Sequence, residues 1–448
     1  MRFPWDALLL AAVLLPPARA AAGGMVLPVR GVRTLERGGA FVAGADDADA
    51  LWLDPAGLAH VHGKGTKAFL FDIAYIFQPI DYTRIDAAGA PLPAVTNQQP
   101  GSPAPTIAAA IALDDRLVLA AGLTTPYAGT PRYAEDGPQR YAAVGLAGSS
   151  FVLVTFGAAY ALTDQLRVGA TVQDLVSTLD ARITLSACAT AACAAEDKSY
   201  DSLAHIHQAD YLAPSGSIGI QYDALRELTL GLALQAPTRI ASTGTFELQL
   251  PTNMMFTGAR VVGDRASTSF TLPPIARLGI EYHPMAALRV EAALEVELWS
   301  MHDTIEIEPR DVHVDTQAGS FPIGTLTIPR HYKTTFSPAL GVEYHTGPAM
   351  FGAGIAYETA AAPPAYVSAL TVDAAKLLVG LGGGYESDGW QLGAAAGYAK
   401  VDDVEVPLAT ASVPQLAPLR DPASVEMVNA GSYRTSYWLA GIRAARRF

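Results

Sequence analysis

From Lys67 to the C-terminus, apolar and polar residues alternate with a period of two rather than 3.6. That is the mark of strands with two unlike faces. In 288–298, Leu288, Val290, Ala292, Leu294, Val296 and Leu298 point one way, and Arg289, Glu291, Ala293, Glu295 and Glu297 the other. Phe336, Pro338, Leu340, Val342 and Tyr344 alternate in the same manner with Ser337, Ala339, Gly341 and Glu343. The stretches 228–235 and 390–398 repeat the pattern.

A second regularity orders these strands. Gly-x-x-Tyr followed by a short polar turn recurs as Gly157/Tyr160, Gly219/Tyr222, Gly279/Tyr282, Gly341/Tyr344 and Gly382/Tyr385. Leu113 before Asp114-Asp115-Arg116 takes the same place without the tyrosine. A tyrosine at the same end of each inbound strand is what an aromatic girdle at a membrane interface requires. The other connections are long and rich in Pro, Gly, Ser and Thr, roughly 86–105, 126–148, 186–207, 251–266, 309–331, 359–375 and 407–432. Six tight turns and seven long connections predict an all-β fold, an antiparallel transmembrane β-barrel of about fourteen strands. The last segment, 433–448, ends on Phe448 with Trp438, Ala440, Ile442 and Ala444 in phase. A terminal aromatic on an amphipathic strand resembles the signal read by barrel-assembly machinery. Arg446 departs from it, standing where an apolar residue is expected.

Composition narrows the reading. Half the residues (50%) are hydrophobic and only 16% are charged. No apolar run after the N-terminus is long enough for a transmembrane helix, whereas a barrel strand needs apolar groups only at alternate positions. The net charge of -13 and the lack of a basic patch argue against nucleic acid as a partner. Arg2, the apolar stretch 7–15 and Ala18-Arg19-Ala20 read as a secretory signal ending at residue 20. In an exported chain, Cys188 and Cys193 read as a disulfide tightening a loop, with His205 and His207 as solvated neighbours. The glutamates alternating on one strand are a face pattern, not a paired-carboxylate active site. No helix follows Gly380, Gly382, Gly383 and Gly384, so they read as strand glycines rather than a phosphate loop.

Between the signal and the first strand lies 30–59, dense in glycine and acidic residues. That composition suits a compact irregular segment packed inside something else. Gly38-Gly39-Ala40-Phe41, the acidic pair Asp46-Asp47, and Asp54-Pro55-Ala56-Gly57-Leu58 carry a resemblance. The segment resembles the N-terminal hatch of the FadL family (OMPP1/FadL/TodX) of outer-membrane transporters, with Asp54 where the family has Asn. Leu272-Pro273-Pro274-Ile275, Glu297-Leu298-Trp299-Ser300, and Tyr357-Glu358 before Pro363-Pro364 extend the likeness along the chain.

The resemblance implies a signal at 1–20, a hatch at 21–64 and a barrel at 65–448. It implies passive uptake of long-chain fatty acids or other hydrophobic molecules by a monomer in the outer membrane of a Gram-negative bacterium. The expected partners are the ligand, outer-membrane lipid with lipopolysaccharide, and the barrel-assembly machinery. No enzymatic step, cofactor or metal is expected. Gly38, Gly39, Phe41, Asp46, Asp47, Asp54, Pro55 and Ala56 are the expected gate residues. Arg277, Glu281, Arg289, Glu291, Glu295, Glu297 and Glu343, on inward positions, are expected to anchor the hatch. The family kinks its third strand for sideways exit, which here points to Gly122 and Pro126. The alternative is a structural or surface-binding barrel without transport activity. The hatch speaks against it, because such a barrel needs no plug.

Overall fold

The computed structural model describes residues 31–126, 131–189, 193–194, 196–421 and 424–448. The signal segment and the first ten residues of the expected hatch lie outside the described residues. Fourteen strands form the wall: β1 (Lys67–Phe77), β2 (Gly101–Ala112), β3 (Leu117–Thr124), β4 (Ser150–Ala161), β5 (Leu166–Ser186), β6 (Pro214–Leu225) and β7 (Leu228–Gln235). Then come β8 (Ile275–Met285), β9 (Leu288–Glu297), β10 (Thr335–Thr346), β11 (Ala349–Glu358), β12 (Lys376–Ser387), β13 (Trp390–Val401) and β14 (Gly431–Arg447). Each pairs antiparallel with the next. β14 closes on β1, with Ala68 opposite Arg447 and Phe77 opposite Trp438. Closing the ring pairs each of the fourteen strands on both sides, as a β structure in a membrane requires.

The alternation in the sequence is the two faces of this wall. Tyr160, Tyr222, Tyr282, Tyr344 and Tyr385 face outward and are exposed, with Trp390 and Phe448 at the same, tight-turn end. Tyr75, Tyr357, Tyr398 and Trp438 are exposed toward the long-loop end, the last two with ring centroids 4.5 Å apart. The apolar band between two aromatic belts is the lipid-facing surface.

The long connections differ from expectation. Much of what composition assigns to loops is paired strand. Thr238–Leu248 pairs with Arg265–Leu272 and with Asp201–Asp210, and Thr304–Arg310 continues that sheet. β5 runs for 21 residues, about twice what crossing a bilayer needs. Beyond the lipid these strands lose their apolar outward face, so the alternation fades. Pairing with neighbours holds them instead, and their Thr-rich sequence favours it. Three short strands, Arg260–Val262, His313–Thr316 and Gly319–Pro322, form a separate sheet over the long-loop end.

Cys188 and Cys193 are joined by a disulfide five positions apart, beside Arg420. So small a ring constrains the unfolded chain little. The Cys188→Ser/Cys193→Ser double variant should shift the midpoint of heat-modifiable gel migration by less than about 3 °C. A collapse of the barrel in this variant would show that the ring holds more than its own loop.

Candidate functional site

The segment 31–61 lies inside the barrel and is buried almost throughout. It is built from short pieces: α1 (Val32–Glu36), α2 (Ala50–Leu53) and a 3-10 turn, Pro55–His60. Gly38 and Gly39 have φ of 61° and 94°, the left-handed backbone that turns the chain back after α1. Asp54 caps the 3-10 turn by accepting the Ala56 N–H at 3.0 Å, and Pro55 supplies its first residue. The guanidinium groups of Arg33 and Arg37 stand over the Phe41 ring, 4.6 and 5.0 Å from its centre.

Side chains of the wall complete this segment. Glu291 accepts the backbone N–H groups of Val42, Ala43 and Gly44 at 2.7, 2.9 and 3.1 Å, and also meets Arg37 at 2.9 Å. Arg37 pairs with Glu281 as well. Arg33 bridges Asp46, Asp47 and Glu343 at 2.7, 2.8 and 3.0 Å. Arg289 reaches Asp46 at 2.6 Å, while Arg443 reaches Asp47 and Asp49 at 2.6 and 2.7 Å. Asp72 accepts the Val32 N–H at 2.8 Å. Gln221 donates to the carbonyls of Val42 and Ala45, and the Trp52 indole to Thr155. The Asp46-Asp47-Asp49 carboxylates are thus engaged by three arginines. Arg289 and Arg33 hold Asp46 below its ordinary value against the opposing effect of burial.

The recurring Gly-x-x-Tyr has its reason here. Three positions apart, the two residues lie on opposite faces of the strand. The tyrosine faces lipid and the glycine faces the hatch. A Cβ on Gly157 would lie 2.7 Å from Leu51, and one on Gly341 2.6 Å from the Arg37 carbonyl. On Gly219 it would overlap Asp54, on Gly279 it would crowd Ala43, and on Gly382 it would crowd Glu36. The wall approaches the hatch at backbone distance, which only glycine permits. Gly354 and Gly380 seat the turn after α1 in the same way, against Arg37 and Leu35.

Two hatch carboxyls stand apart from the ion pairs. Neither oxygen of Glu36 has a hydrogen-bond partner. Burial, with Glu343 nearby, pushes its carboxyl from 4.5 up to about 7, while Arg33, Arg443 and Arg37 pull it down. Burial also raises Asp54, whose second oxygen is unpartnered; among the described residues no arginine pairs with it.

Toward the long-loop end, the lumen holds an apolar cavity of about 90 Å³. Leu179, Ile183, Phe270, Ile305, Ile328 and Leu370 line it, from strands of the extended outer wall and the 359–375 connection. A second, more open apolar space of about 310 Å³ lies among the outer loops, against Tyr200, Met255, Phe256 and Phe321.

Of the wall charges singled out from the alternation, Glu281, Arg289, Glu291 and Glu343 touch the hatch. Arg277 pairs instead with Glu295 at 2.5 Å, and Glu297 accepts the Trp299 indole N–H at 2.6 Å. Sequence reasoning missed Arg33, Arg37, Asp72 and Arg443. Asp72 and Arg443 sit on inward positions of β1 and β14, where the alternation could have found them. The expected third-strand kink is corrected. Gly122 pairs with Ala108 and Thr155 in unbroken ladders. A Cβ there would lie 2.8 Å from the Trp52 ring, so this glycine makes room for the hatch. Pro126 is buried just beyond the strand end.

The sequence model of the outer membrane protein transport protein family (OMPP1/FadL/TodX) matches residues 14–448. No curated protein matches the sequence. Among solved structures, a Pseudomonas aeruginosa FadL homologue superposes with a TM-score of 0.77 at 17% identity, over 94% of this chain and 99% of the other. The Ralstonia pickettii toluene transporter TbuX gives 0.63 at 17% identity, again over 94% and 99%. The P. putida toluene transporter TodX gives 0.64 at 15%, over the same shares.

Two predictions follow from this geometry. Gly122→Val should expel Trp52 from its seat, red-shifting tryptophan emission and raising single-channel conductance, with the heat-modifiable barrel intact. Unchanged emission and conductance would show that Trp52 does not need this glycine. The second concerns pH. The docked Glu36 holds its proton more tightly than the free segment would, so its share of docking is complete below 4.5 and is lost as pH rises through about 7. Asp46 is shifted the opposite way, and its share is lost only in acid, below that window. Conductance should therefore rise between about pH 5 and 8, and Glu36→Gln should flatten the rise. A Glu36→Gln channel with the wild-type pH profile would remove this group from the response.

Proposed function

This chain belongs to the OMPP1/FadL/TodX family of outer membrane protein transport proteins, and from that premise we propose that it is a passive, monomeric channel for hydrophobic molecules in the outer membrane of a Gram-negative bacterium. Long-chain fatty acids and aromatic compounds are the cargo classes. The toluene transporters among its structural neighbours support an apolar cargo. The observation that carries the reading is the apolar cavity on the long-loop side of a plugged lumen. A pore for polar solutes would line that space mainly with polar groups; here most of the wall is Leu, Ile, Phe and Ala, with Arg182, Arg330 and a few hydroxyls among them.

Passage follows from burial. The apolar space among the outer loops captures cargo, and the inner cavity holds it away from water. Displacement of the hatch opens the way onward. No bond is made or broken, so we assign no enzymatic step, cofactor or metal. Outer-membrane lipid surrounds the apolar band, and the C-terminal strand ending in Phe448 is the segment offered to the assembly machinery.

Exit sideways into the bilayer is the cheaper route. A sixteen-carbon chain entering water would expose about fifteen methylenes at about 0.8 kcal/mol each, roughly 12 kcal/mol. The wall offers an opening beyond the end of β3. That strand stops at Thr124, opposite Thr106 and Leu153, while β2 continues to Gly101 and β4 to Ser150. Among the described residues, no strand pairs with the Gly101–Pro105 end of β2 on that side. Ala112 donates its N–H to Thr66 and accepts the N–H of Gly65, both on the β1 side. By alternation, the odd positions of β2 therefore face β3. Pro103 and Pro105 are among them and have no N–H to leave unpaired.

Reconstituted protein should carry a fluorescent long-chain acid across liposome membranes. Ala181→Trp, which fills the cavity from β5, should cut that flux at least about tenfold with heat-modifiability retained. Deleting 21–59 should leave an ion-conducting barrel. Full flux in Ala181→Trp would show that cargo bypasses the cavity, and an unchanged conductance after deletion would show that the segment is no plug.

A further inference from the structure

Arg446 interrupts the last strand where an apolar residue is expected, and neither the hatch nor the cargo path uses it. It stands on an outward position of β14, in phase with Trp438, Ala440, Ile442 and Phe448. Its neighbour Arg447 points inward and donates to the carbonyls of His60 and His62. Arg446 lies opposite Trp390 on β13 and Phe69 on β1. Its guanidinium stands over the rings of Trp390 and Phe448, 4.9 and 5.4 Å from their centres. The Lys67 Nζ lies 6.0 Å from the same Phe448 ring, and the Lys67 backbone exchanges two hydrogen bonds with Phe448. Lys67 is therefore the diagonal neighbour of Arg446 on the outer face of the wall. Among the described residues neither cation makes an ion pair; Glu386 borders the adjoining mouth of the barrel with Arg446 and pairs with neither. Among the described residues no other strand carries Lys or Arg on its outward face at the tight-turn end.

Short turns place this end of an outer-membrane barrel at the periplasmic leaflet. Two like charges side by side repel, and at the edge of the hydrocarbon an uncompensated cation is costly. A phosphodiester removes both costs. The guanidinium binds it through a planar pair of donors and the ammonium as a point charge. The rings below suit acyl chains, and the cation–π contacts already aim Arg446 along the surface. With no acid paired to either cation, a zwitterionic head group would bring its own ammonium against them, so net negative charge is favoured. The two cations also sit on the two strands whose pairing closes the barrel. We propose that Lys67 and Arg446, over Phe69, Trp390 and Phe448, bind the phosphate head group of an anionic phospholipid in the periplasmic leaflet. Held there, the lipid fastens β14 to β1. The proposal rests on the membrane reading above and adds to it a lipid site of defined charge.

Trp390 is the probe. Trp52 and Trp299 are buried, so Trp438→Phe leaves Trp390 as the tryptophan facing lipid among the described residues. This protein is placed in phosphatidylcholine bilayers carrying dibrominated phosphatidylglycerol or dibrominated phosphatidylethanolamine, and quenching of its emission is measured. Phosphatidylglycerol should associate at least about fivefold more tightly. Lys67→Gln/Arg446→Gln should bring that ratio to about one, Arg446→Lys should keep most of it, and Arg226→Gln, in another tight turn, should leave it unchanged. Replacing unbrominated phosphatidylcholine by unbrominated phosphatidylglycerol should shift the midpoint of heat-modifiable migration upward, and the double variant should lose that shift. Equal quenching by the two lipids overturns the proposal, as does a preference that survives the double variant or follows Arg226. A preference without the midpoint shift overturns the fastening of the seam. Loss of the preference in inorganic phosphate at constant ionic strength would assign the site to a free anion instead of a lipid. Should the double variant fail to insert, the wild-type ratio and Lys67→Gln alone decide. If the protein inserts and shows no lipid preference, only this proposal falls; if it inserts into neither bilayer, the membrane reading falls with it.

Discussion

Everything in the lumen depends on charges that must be matched where water is scarce. The wall supplies Glu281, Glu291 and Glu343; the hatch supplies Arg33, Arg37 and three backbone N–H groups to receive them. In the other direction, Asp46, Asp47 and Asp49 of the hatch meet Arg289 and Arg443 of the wall. Removing one partner of a buried pair costs about 3–5 kcal/mol, because the other is stranded. Neither part is electrically complete alone. That is why an irregular segment with only two very short helices adopts one conformation: the wall's carboxylates do for its backbone what a sheet or a long helix would do elsewhere.

The barrel was legible in the sequence because lipid imposes a rule at every second position. Wherever a strand crosses the membrane, as in β8 to β14, its alternation and its tyrosine mark face, direction and end. The rule stops where the lipid stops, so Thr238–Leu248 and its partners, which look like loop by composition, were not legible as strands. The hatch motif announced its place, since Gly38-Gly39 and Asp54-Pro55 each encode a turn. Its partners were half legible. The glutamates of β8 to β10 stand out against apolar neighbours, whereas Asp72 and Arg443 are single inward charges on strands otherwise rich in Ala, Ile and Leu. The gap between β2 and β4 could not be read at all, because it follows from where β3 ends rather than from any residue within it.

On the proposed transport reading, the two apolar spaces divide one task. The outer one, among Met255, Phe256 and Phe321, is open and its side chains are pliable, as capture of varied molecules requires. The inner one is walled largely by paired strands, with the connections before β4 and at 359–375 completing it. Selection therefore belongs to the inner space. Admission belongs to the outer one, where the disulfide ring of Cys188 and Cys193 borders the opening.

The glycines that face the hatch have a mechanical consequence. Side chains that meet across an interface can flex and keep touching while the two bodies slide. Backbone resting on bare backbone has no such give. With Gly219, Gly354 and Gly380 each in contact with the segment's main chain or capping carboxylate, a displacement of about an ångström forfeits a large part of the dispersion attraction at once. Such a seat has almost no compliance. The plug behaves less like a spring that yields by degrees than like a ground-glass stopper, seated or unseated with little between.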